Sequence, residues 1–407
     1  QTLSETGAFT DPASLAVNSE MHPYDINLAF WSDGAIKSRW FNMVDATGTI
    51  QYSRDDFWDF PTGTVAMKHF DMDLNRDNPG TNVKRIETRF LVKTVDDFYA
   101  ITYQWNGAGT EATLVGEDGA NLDLDITEGG MTTSQPWRIP SRAECFQCHT
   151  DNNHAILGLG TRQLNRDGTL DGSTGNFLSL MESAGYLSTI GEAPATLPKH
   201  SDPGDTATNL EERVQAYLAV NCAYCHFEGN GLVPNSWSGE AHLTIEETSL
   251  LHGEAVGFNV IDPTDRLIIP GDTANSIILS RAAASNGYSR MPPTGSAIPD
   301  PAGVALLTDW INNYANAKPT LDAAAGPYTV AENTAASTSV GSGPSVSDLD
   351  APDASRGTLL YSIVGGNTGG YFDINPATGE ITVVQNGLDY EESTTHSLSI
   401  LVSDGYA

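Results

Sequence analysis

The chain of 407 residues contains four cysteines, and all four belong to one arrangement used twice. They occur as Cys145-Phe146-Gln147-Cys148-His149 and as Cys222-Ala223-Tyr224-Cys225-His226. In each, two thiols stand three positions apart and an imidazole follows the second directly. No cysteine remains elsewhere to staple a small disulfide-rich scaffold, so the thiol chemistry of this chain is confined to these two turns.

The spacing suits covalent attachment of haem c. Two thiols at this distance can form thioethers to the two vinyl groups on one porphyrin edge, and the adjacent imidazole is then placed under the iron. Two other chemistries compete. Four thiolates and two imidazoles oversupply a single tetrahedral zinc. A redox C-x-x-C usually opens a helix in a βαβ unit, a pattern the flanking sequence lacks. The sequence therefore predicts two covalently bound haems. They are held by Cys145, Cys148, Cys222 and Cys225, with His149 and His226 as iron ligands.

Charge narrows the partners. Lys plus Arg number 20 against 52 Asp plus Glu, a formal net charge of −32. That balance excludes nucleic acid and anionic membrane surfaces as partners, which both require positive charge. It favours a basic redox protein or an extracellular electron acceptor. No run of about 18 apolar residues is present, so no transmembrane segment is expected. The chain begins at Gln1 without a signal peptide. It reads as a processed, exported bacterial protein, periplasmic or at the cell surface.

Residues 196–318 carry the second motif between two helical patterns. Thr208-Asn209-Leu210-Glu211 reads as a capping box. Leu210, Val214, Tyr217 and Leu218 then form one apolar face leading into Cys222. Leu307, Trp310, Ile311 and Tyr314 form a second such face. With Arg290-Met291-Pro292-Pro293 between them, this segment resembles the class I cytochromes c. The resemblance implies an all-α domain whose terminal helices cross beside the haem. It also implies that Met291 is the second iron's distal ligand, with His242 and His252 as competitors. A His/Met iron has a raised potential and no open position.

Residues 1–195 read as β-rich. Thr88–Val95 and Phe98–Trp105 alternate around Asp96-Asp97, a hairpin pattern. Phe60-Pro61-Thr62-Gly63-Thr64-Val65-Ala66-Met67-Lys68, followed by Ala143-Glu144-Cys145, resembles the β-sheet haem proteins in which a lysine is cross-linked to the haem, including hydroxylamine-oxidising cytochromes. That resemblance implies an open distal position with Lys68 near the macrocycle. Lys68, His69 and His154 are the candidates for the first haem's distal side, with Met131 as a further one. A broader resemblance, to a family of exported bacterial dihaem proteins, rests on five segments: Tyr24–Asn27, Ser32–Ala35, Pro140–Cys145, Leu157–Leu159 and Arg162–Asn165. The run Asp71–Asp77 alternates oxygen ligands but reads as an acidic turn.

Residues 319–407 hold no Cys and no Lys, and follow an Ala/Pro/Thr/Gly-rich linker. Tyr328–Asn333, Asp348-Leu349-Asp350, Phe372–Ile381, Leu388–Glu391 and Val402–Gly405 resemble a cadherin-like repeat, which implies a Greek-key β-sandwich. The resemblance implies Ca²⁺ ligands Asp348, Asp350 and Asp404 at one end, and Glu332, Asp389 and Glu391 at the other. The sequence stops before the last strand of such a repeat, so the native chain is expected to continue, or to borrow a strand from a neighbouring copy and so form a homo-polymer.

The sequence thus predicts a multidomain α+β protein: a β-rich N-terminal haem domain (1–195), an all-α cytochrome c domain (196–318) and a cadherin-like sandwich (319–407). Its expected function is electron transfer by an extracytoplasmic dihaem cytochrome. The alternative is a haem oxidoreductase acting on hydroxylamine, NO or peroxide at the first haem, with the second haem as electron outlet.

Overall fold

Alternating residues around Asp96-Asp97 build the hairpin that the pattern predicts, and four further strands extend it. In the computed structural model, residues 1–230, 237–255, 260–313, 319–347 and 359–403 are described. They fall in two units, Gln1–Trp310 and Ile311–Ala407. The first is multidomain in sequence terms and mixes sheet and helix; the second is a β-structure.

In the first unit, a short hairpin of β1 (Phe9–Asp11) and β2 (Ala16–Val17) precedes a six-stranded antiparallel sheet. Its strands are β3 (His22–Pro23), β4 (Ile36–Asn42), β5 (Val65–Asp73), β6 (Val83–Lys93), β7 (Phe98–Trp105) and β8 (Ala112–Leu114), in that spatial order. Successive side chains of a strand point to opposite faces. Trp40, Met67, Phe90 and Ile101 stand in one cross-strand row and pack with Tyr103 and Trp105 on one face. One residue on, Arg39, Lys68, Arg89 and Thr102 stand in register on the other face. A hairpin of β9 (Ala120–Glu128) and β10 (Met131–Ile139) packs Leu124, Ile126 and Trp137 against Phe70 and Ile86.

The chain leaves β10 at Pro140 and enters α1 (Arg142–Cys145), then α2 (Thr161–Leu164), the hairpin β11 (Asp167–Leu170)–β12 (Ser173–Asn176) and α3 (Phe177–Ser183). Their apolar residues join Trp58, Phe60 and Ile156 in a core against which Cys145 and Phe146 pack. Between residues 197 and 313 the regular elements described are the helices α4 (Leu210–Asn221), α5 (Ile277–Ala282) and α6 (Pro301–Asn313).

The predicted face of α4 is buried throughout: Leu210, Val214, Tyr217 and Leu218. Its cap differs from the predicted one. Asn209, not Thr208, is the N-cap, its side chain accepting from the N–H of Glu211 at 2.8 Å. Asn accepts at this position as well as Ser or Thr does. Leu307, Trp310 and Ile311 of α6 are buried as the spacing predicts, and Tyr314 lies outside the described residues. The two helices meet where Gly303 lacks a side chain: a Cβ there would fall 2.0 Å from the Tyr217 hydroxyl.

Segments far apart in sequence lock together in this unit. The buried Asp33 carboxylate accepts the N–H groups of Ala297 and Ile298 at 2.8–3.0 Å. Asn221 at the end of α4 accepts from the N–H of Trp31 at 2.8 Å. The acidic run at Asp71–Asp77 is spent on its own loops. Asp73 accepts from Asn75 and Gly80, and Asp77 from Gly129 and Gly130. It behaves as a turn, as its sequence reads.

The second unit pairs β13 (Thr320–Ala323) with β15 (Ser345–Ser347), β14 (Ser339–Ser342) with β18 (Glu380–Val383) and β17 (Phe372–Ile374), and β16 (Leu360–Gly365) with β19 (Ser399–Ser403), all antiparallel. Phe372, Ile374, Ile381, Val383 and Leu388 form its core, with Tyr361, Ile363 and Ile400 against it. Among the described residues, no helix is long and apolar enough to cross a membrane.

Candidate functional site

The first motif is aimed by a capping box. Ser141 accepts from the N–H of Glu144 at 3.1 Å, while Glu144 takes the N–H of Ser141 at 2.6 Å and pairs with Arg138 at 2.7 Å. This fixes the short α1 and hence Cys145. The following turn carries Cys148 and His149, whose N–H donates to the Cys145 carbonyl at 3.0 Å. The His149 imidazole is oriented by its outer nitrogen: Nδ1 lies 2.5 Å from the carbonyl oxygen of Ala155. A backbone acceptor there sets the Nδ1–H tautomer and leaves Nε2 with its lone pair free, the state a metal-ligating imidazole needs. Burial, and the charges of Lys68 and Arg89, push His149 down to about 4, against the pull of the Ala155 carbonyl, so it is a neutral donor at neutral pH.

Cys145, Cys148 and His149 line a cavity of about 1160 Å³, its open mouth included. That is generous for a cofactor-sized ligand, for which pockets of about 300–1,000 Å³ are usual. Across from the motif, Arg39, Lys68 and Arg89 contribute from the sheet, and Tyr24 and Tyr224 add apolar wall. Burial, then the like charges of Arg39, Lys37 and Arg89, drive the Lys68 ammonium well below its usual range.

The distal candidates separate. Lys68 lines the cavity, as the resemblance to lysine-cross-linked proteins implies. His69, the next residue along β5, is fully buried, and both its ring nitrogens are engaged: Nδ1 with Thr88 at 2.8 Å and Nε2 with Asp71 at 3.0 Å. It is a structural residue and not a distal group. His154 is turned outward, paired with Asp59 at 3.2 Å and 41% exposed. Met131 sits exposed at the tip of the β9–β10 hairpin.

The second motif follows α4 directly. Cys222 caps the helix, its N–H donating to the Leu218 carbonyl at 2.8 Å. Burial first, then Cys225, pushes its thiol up to about 12. The His226 ring stacks on Trp237 with centroids 4.4 Å apart and planes at 18°. Its Nδ1 is buried without a hydrogen-bond partner, so this imidazole has bonding capacity that the protein alone leaves unspent. Met291 is exposed, unlike a methionine filling a core. Its N–H donates to the carbonyl of Arg281, whose charge acts on His226. Thr294 and Gly295, just beyond it, reach the wall of the first cavity.

The two motifs stand back to back. Cys148 Sγ and Cys225 Sγ are 3.9 Å apart. Asn153, fully buried, donates from one amide to the Cys148 carbonyl at 2.6 Å and to the Tyr224 carbonyl at 3.1 Å. The sequence reading missed Asn153, Arg39 and Trp237. Their roles arise from contacts across long stretches of chain, and no local spacing announces them.

In the second unit, the N–H of Asn333 donates to the Leu388 carbonyl, which brings Glu332 beside Asp389. Asp389 in turn accepts from the N–H of Glu391 at 2.9 Å. One oxygen from each of Glu332, Asp389 and Glu391 then lies within 4.8 Å of the others, all on exposed residues. These are three of the six predicted calcium ligands. The other three, Asp348, Asp350 and Asp404, lie outside the described residues. Residues 327–407 match the cadherin domain family. This segment is a cadherin domain. Within it the chain is 42% identical over 60 residues to Protocadherin Fat 4 of Mus musculus, 15% of this chain and 1% of that protein. It is 39% identical over 56 residues to Protocadherin Fat 1 of Homo sapiens, 14% of this chain and 1% of that protein. The chain thus spans about 1% of the length of these curated relatives. Oxygen-rich, exposed carboxylate clusters of this kind suit Ca²⁺, and Glu332, Asp389 and Glu391 of the cadherin domain supply part of its usual six to eight oxygens.

Proposed function

We propose that the chain is an extracytoplasmic electron-transfer protein with two covalently bound haems c. The first would be held by Cys145, Cys148 and His149, and the second by Cys222, Cys225 and His226 with Met291 opposite. The single observation that carries the reading is the His149 imidazole. Its Nδ1 is committed to Ala155, it follows Cys148 directly, and it lines a cavity with both cysteines of its motif. Each iron would supply a one-electron ferrous–ferric couple. The protein's part is to orient the imidazoles, shield them with Tyr24, Tyr224 and Trp237, and hold the two attachment turns together through Asn153. The close approach of Tyr217 to Gly303 supports the crossing of terminal helices in a cytochrome c domain over 196–318. The cadherin domain would attach the haem-bearing part outside the cell, space it or join copies, and take up Ca²⁺ at Glu332, Asp389 and Glu391.

A haem oxidoreductase is the second reading. It is favoured by the cavity that runs from His149 to Lys68, which leaves space beside the first motif. The mass of the purified chain together with a pyridine haemochrome spectrum tests the first proposal. Two added haems are expected, and the mass of the bare polypeptide would refute it. Low-spin spectra from both haems favour the carrier. A high-spin signal at one haem that responds to hydroxylamine or NO favours the oxidoreductase.

A further inference from the structure

Three cations stand in one row of the sheet. Arg39 on β4 is directly opposite Lys68 on β5, which is directly opposite Arg89 on β6. All three line the cavity that carries Cys145, Cys148 and His149. Like charges facing each other across a ladder are destabilising. This chain has only 20 Lys and Arg in 407 residues, so placing three of them side by side in a half-closed cavity needs a physical reason.

Arg89 has one within the protein. Glu87, fully buried, takes Arg89 in a bidentate pair at 2.6 and 2.8 Å and a further bond from Trp137 Nε1 at 2.9 Å. Arg39 and Lys68 have no ion-pair partner among the described residues. Arg39 is 8% exposed, and its Nη2 is buried without any hydrogen-bond partner. An uncompensated buried guanidinium costs several kcal/mol. A guanidinium fork beside an ammonium is the donor set that recognises a planar carboxylate or oxyanion.

We propose that Arg39 and Lys68 form a binding site for a small oxyanion or carboxylate group. The anion would fill the vacant guanidinium donor and balance the charge that Glu87 leaves over. The crowding that weakens the hold of Lys68 on its proton is what an anion relieves. The site disfavours hydroxylammonium and other cations, and neutral NO gains nothing from it. Two sources offer this chemistry: the carboxylate side chains of a porphyrin held by the first motif, and a free anion such as nitrite or sulfite. The first source rests on the haem reading above. The second does not.

The test uses the full chain and its Arg39→Gln, Lys68→Gln and Arg39→Lys variants, titrated with nitrite and with sulfite by calorimetry and absorption. Arg39→Lys keeps the charge but loses the fork, and serves where Arg39→Gln does not fold. Saturable binding to the wild type, weakened at least about tenfold in the variants, supports a free-anion site, since one charge-assisted hydrogen bond is worth about that factor. No binding to the haem-loaded wild type, with the potential and Soret maximum of one haem shifted in both Arg39 and Lys68 variants, supports a porphyrin carboxylate in the site. Anion binding, potentials and spectra all unchanged by the substitutions would overturn the proposal. A chain that folds without haem defeats the haem reading alone, because calorimetry on that chain still tests Arg39 and Lys68 against the free anions.

Discussion

The sulfur of Cys148 lies 3.9 Å from the sulfur of Cys225, although 77 residues separate them in the chain. Each belongs to a different C-x-x-C-H motif, so the two attachment turns share one contact. Thioethers at these positions would make both sulfurs unavailable for any other bond. In a haem-free chain the same proximity favours a cross-motif disulfide. Exchange with oxidised glutathione would convert the two thiols to one disulfide and release two reduced glutathiones. We expect peptide mapping of the oxidised haem-free chain to join the Cys148 and Cys225 peptides, and the haem-loaded chain to show no such product. Joining of Cys145 to Cys148 instead would show that the turns do not meet in the haem-free chain.

Asn153 is the staple of this contact. Its side chain serves the carbonyls of Cys148 and Tyr224 and accepts the N–H groups of Thr150 at 3.0 Å and Ala155 at 3.2 Å. Asn153→Ala leaves several part-buried polar groups unsatisfied, each costing about 1–3 kcal/mol. The expected loss is about 3 kcal/mol or more in denaturant unfolding, with m unchanged. Asn153→Asp should be nearly as damaging, because it keeps the acceptor and loses both donors to the carbonyls. A loss below about 1 kcal/mol in Asn153→Ala would remove the residue from this role.

The legibility of the molecule follows the range of its interactions. The β6–β7 hairpin, the buried face of α4 and the apolar side of α6 were readable because period two and period 3.6 are local patterns. The cap of α4 moved by one residue because Thr208 and Asn209 are both competent acceptors, and backbone geometry chose between them. Lys68 could be placed on a strand from sequence, but not in a row with Arg39 and Arg89. Strand register is set by packing between segments more than 20 residues apart. His69 and Lys68 are neighbours in sequence and opposite in environment because a strand alternates its faces. The carboxylates of the cadherin domain were legible because the repeat spaces them in a recognisable order.

The capping box before the first motif makes a pH prediction. Arg138 holds the Glu144 carboxyl below its ordinary value of 4.5, with further help from the N–H and hydroxyl of Ser141 against the opposing effect of burial. A depressed folded pKa means that the stabilisation is fully present above the ordinary glutamate pKa. It is lost as pH falls through the folded value. Wild type should therefore exceed Glu144→Gln in melting temperature by a constant amount near neutral pH, and the gap should close under acid conditions. Ser141→Ala should cost about 1 kcal/mol at neutral pH through loss of the cap. A gap between wild type and Glu144→Gln that is the same at acid and neutral pH would dissociate Glu144 from the ion pair.

Three carboxylates within 4.8 Å of one another at Glu332, Asp389 and Glu391 repel unless a cation sits among them. Calcium should therefore stabilise the cadherin domain of the full chain, with a dissociation constant on the order of 10⁻⁴ to 10⁻³ M, as in extracellular modules. At about 10 mM calcium, binding of that strength adds about 1.4–2.7 kcal/mol to the folded state. The double variant Asp389→Asn/Glu391→Gln should weaken binding at least about tenfold, since it removes two of the three charges that draw a divalent cation. Without calcium, the same variant should melt at or above the wild-type temperature, because it relieves repulsion. The opposite signs with and without the ion distinguish a binding role from a packing role. Asp71→Asn serves as the control and should leave calcium affinity unchanged, because that aspartate is held by His69 within an acidic turn. Equal calcium affinity in wild type and double variant would place the ion elsewhere.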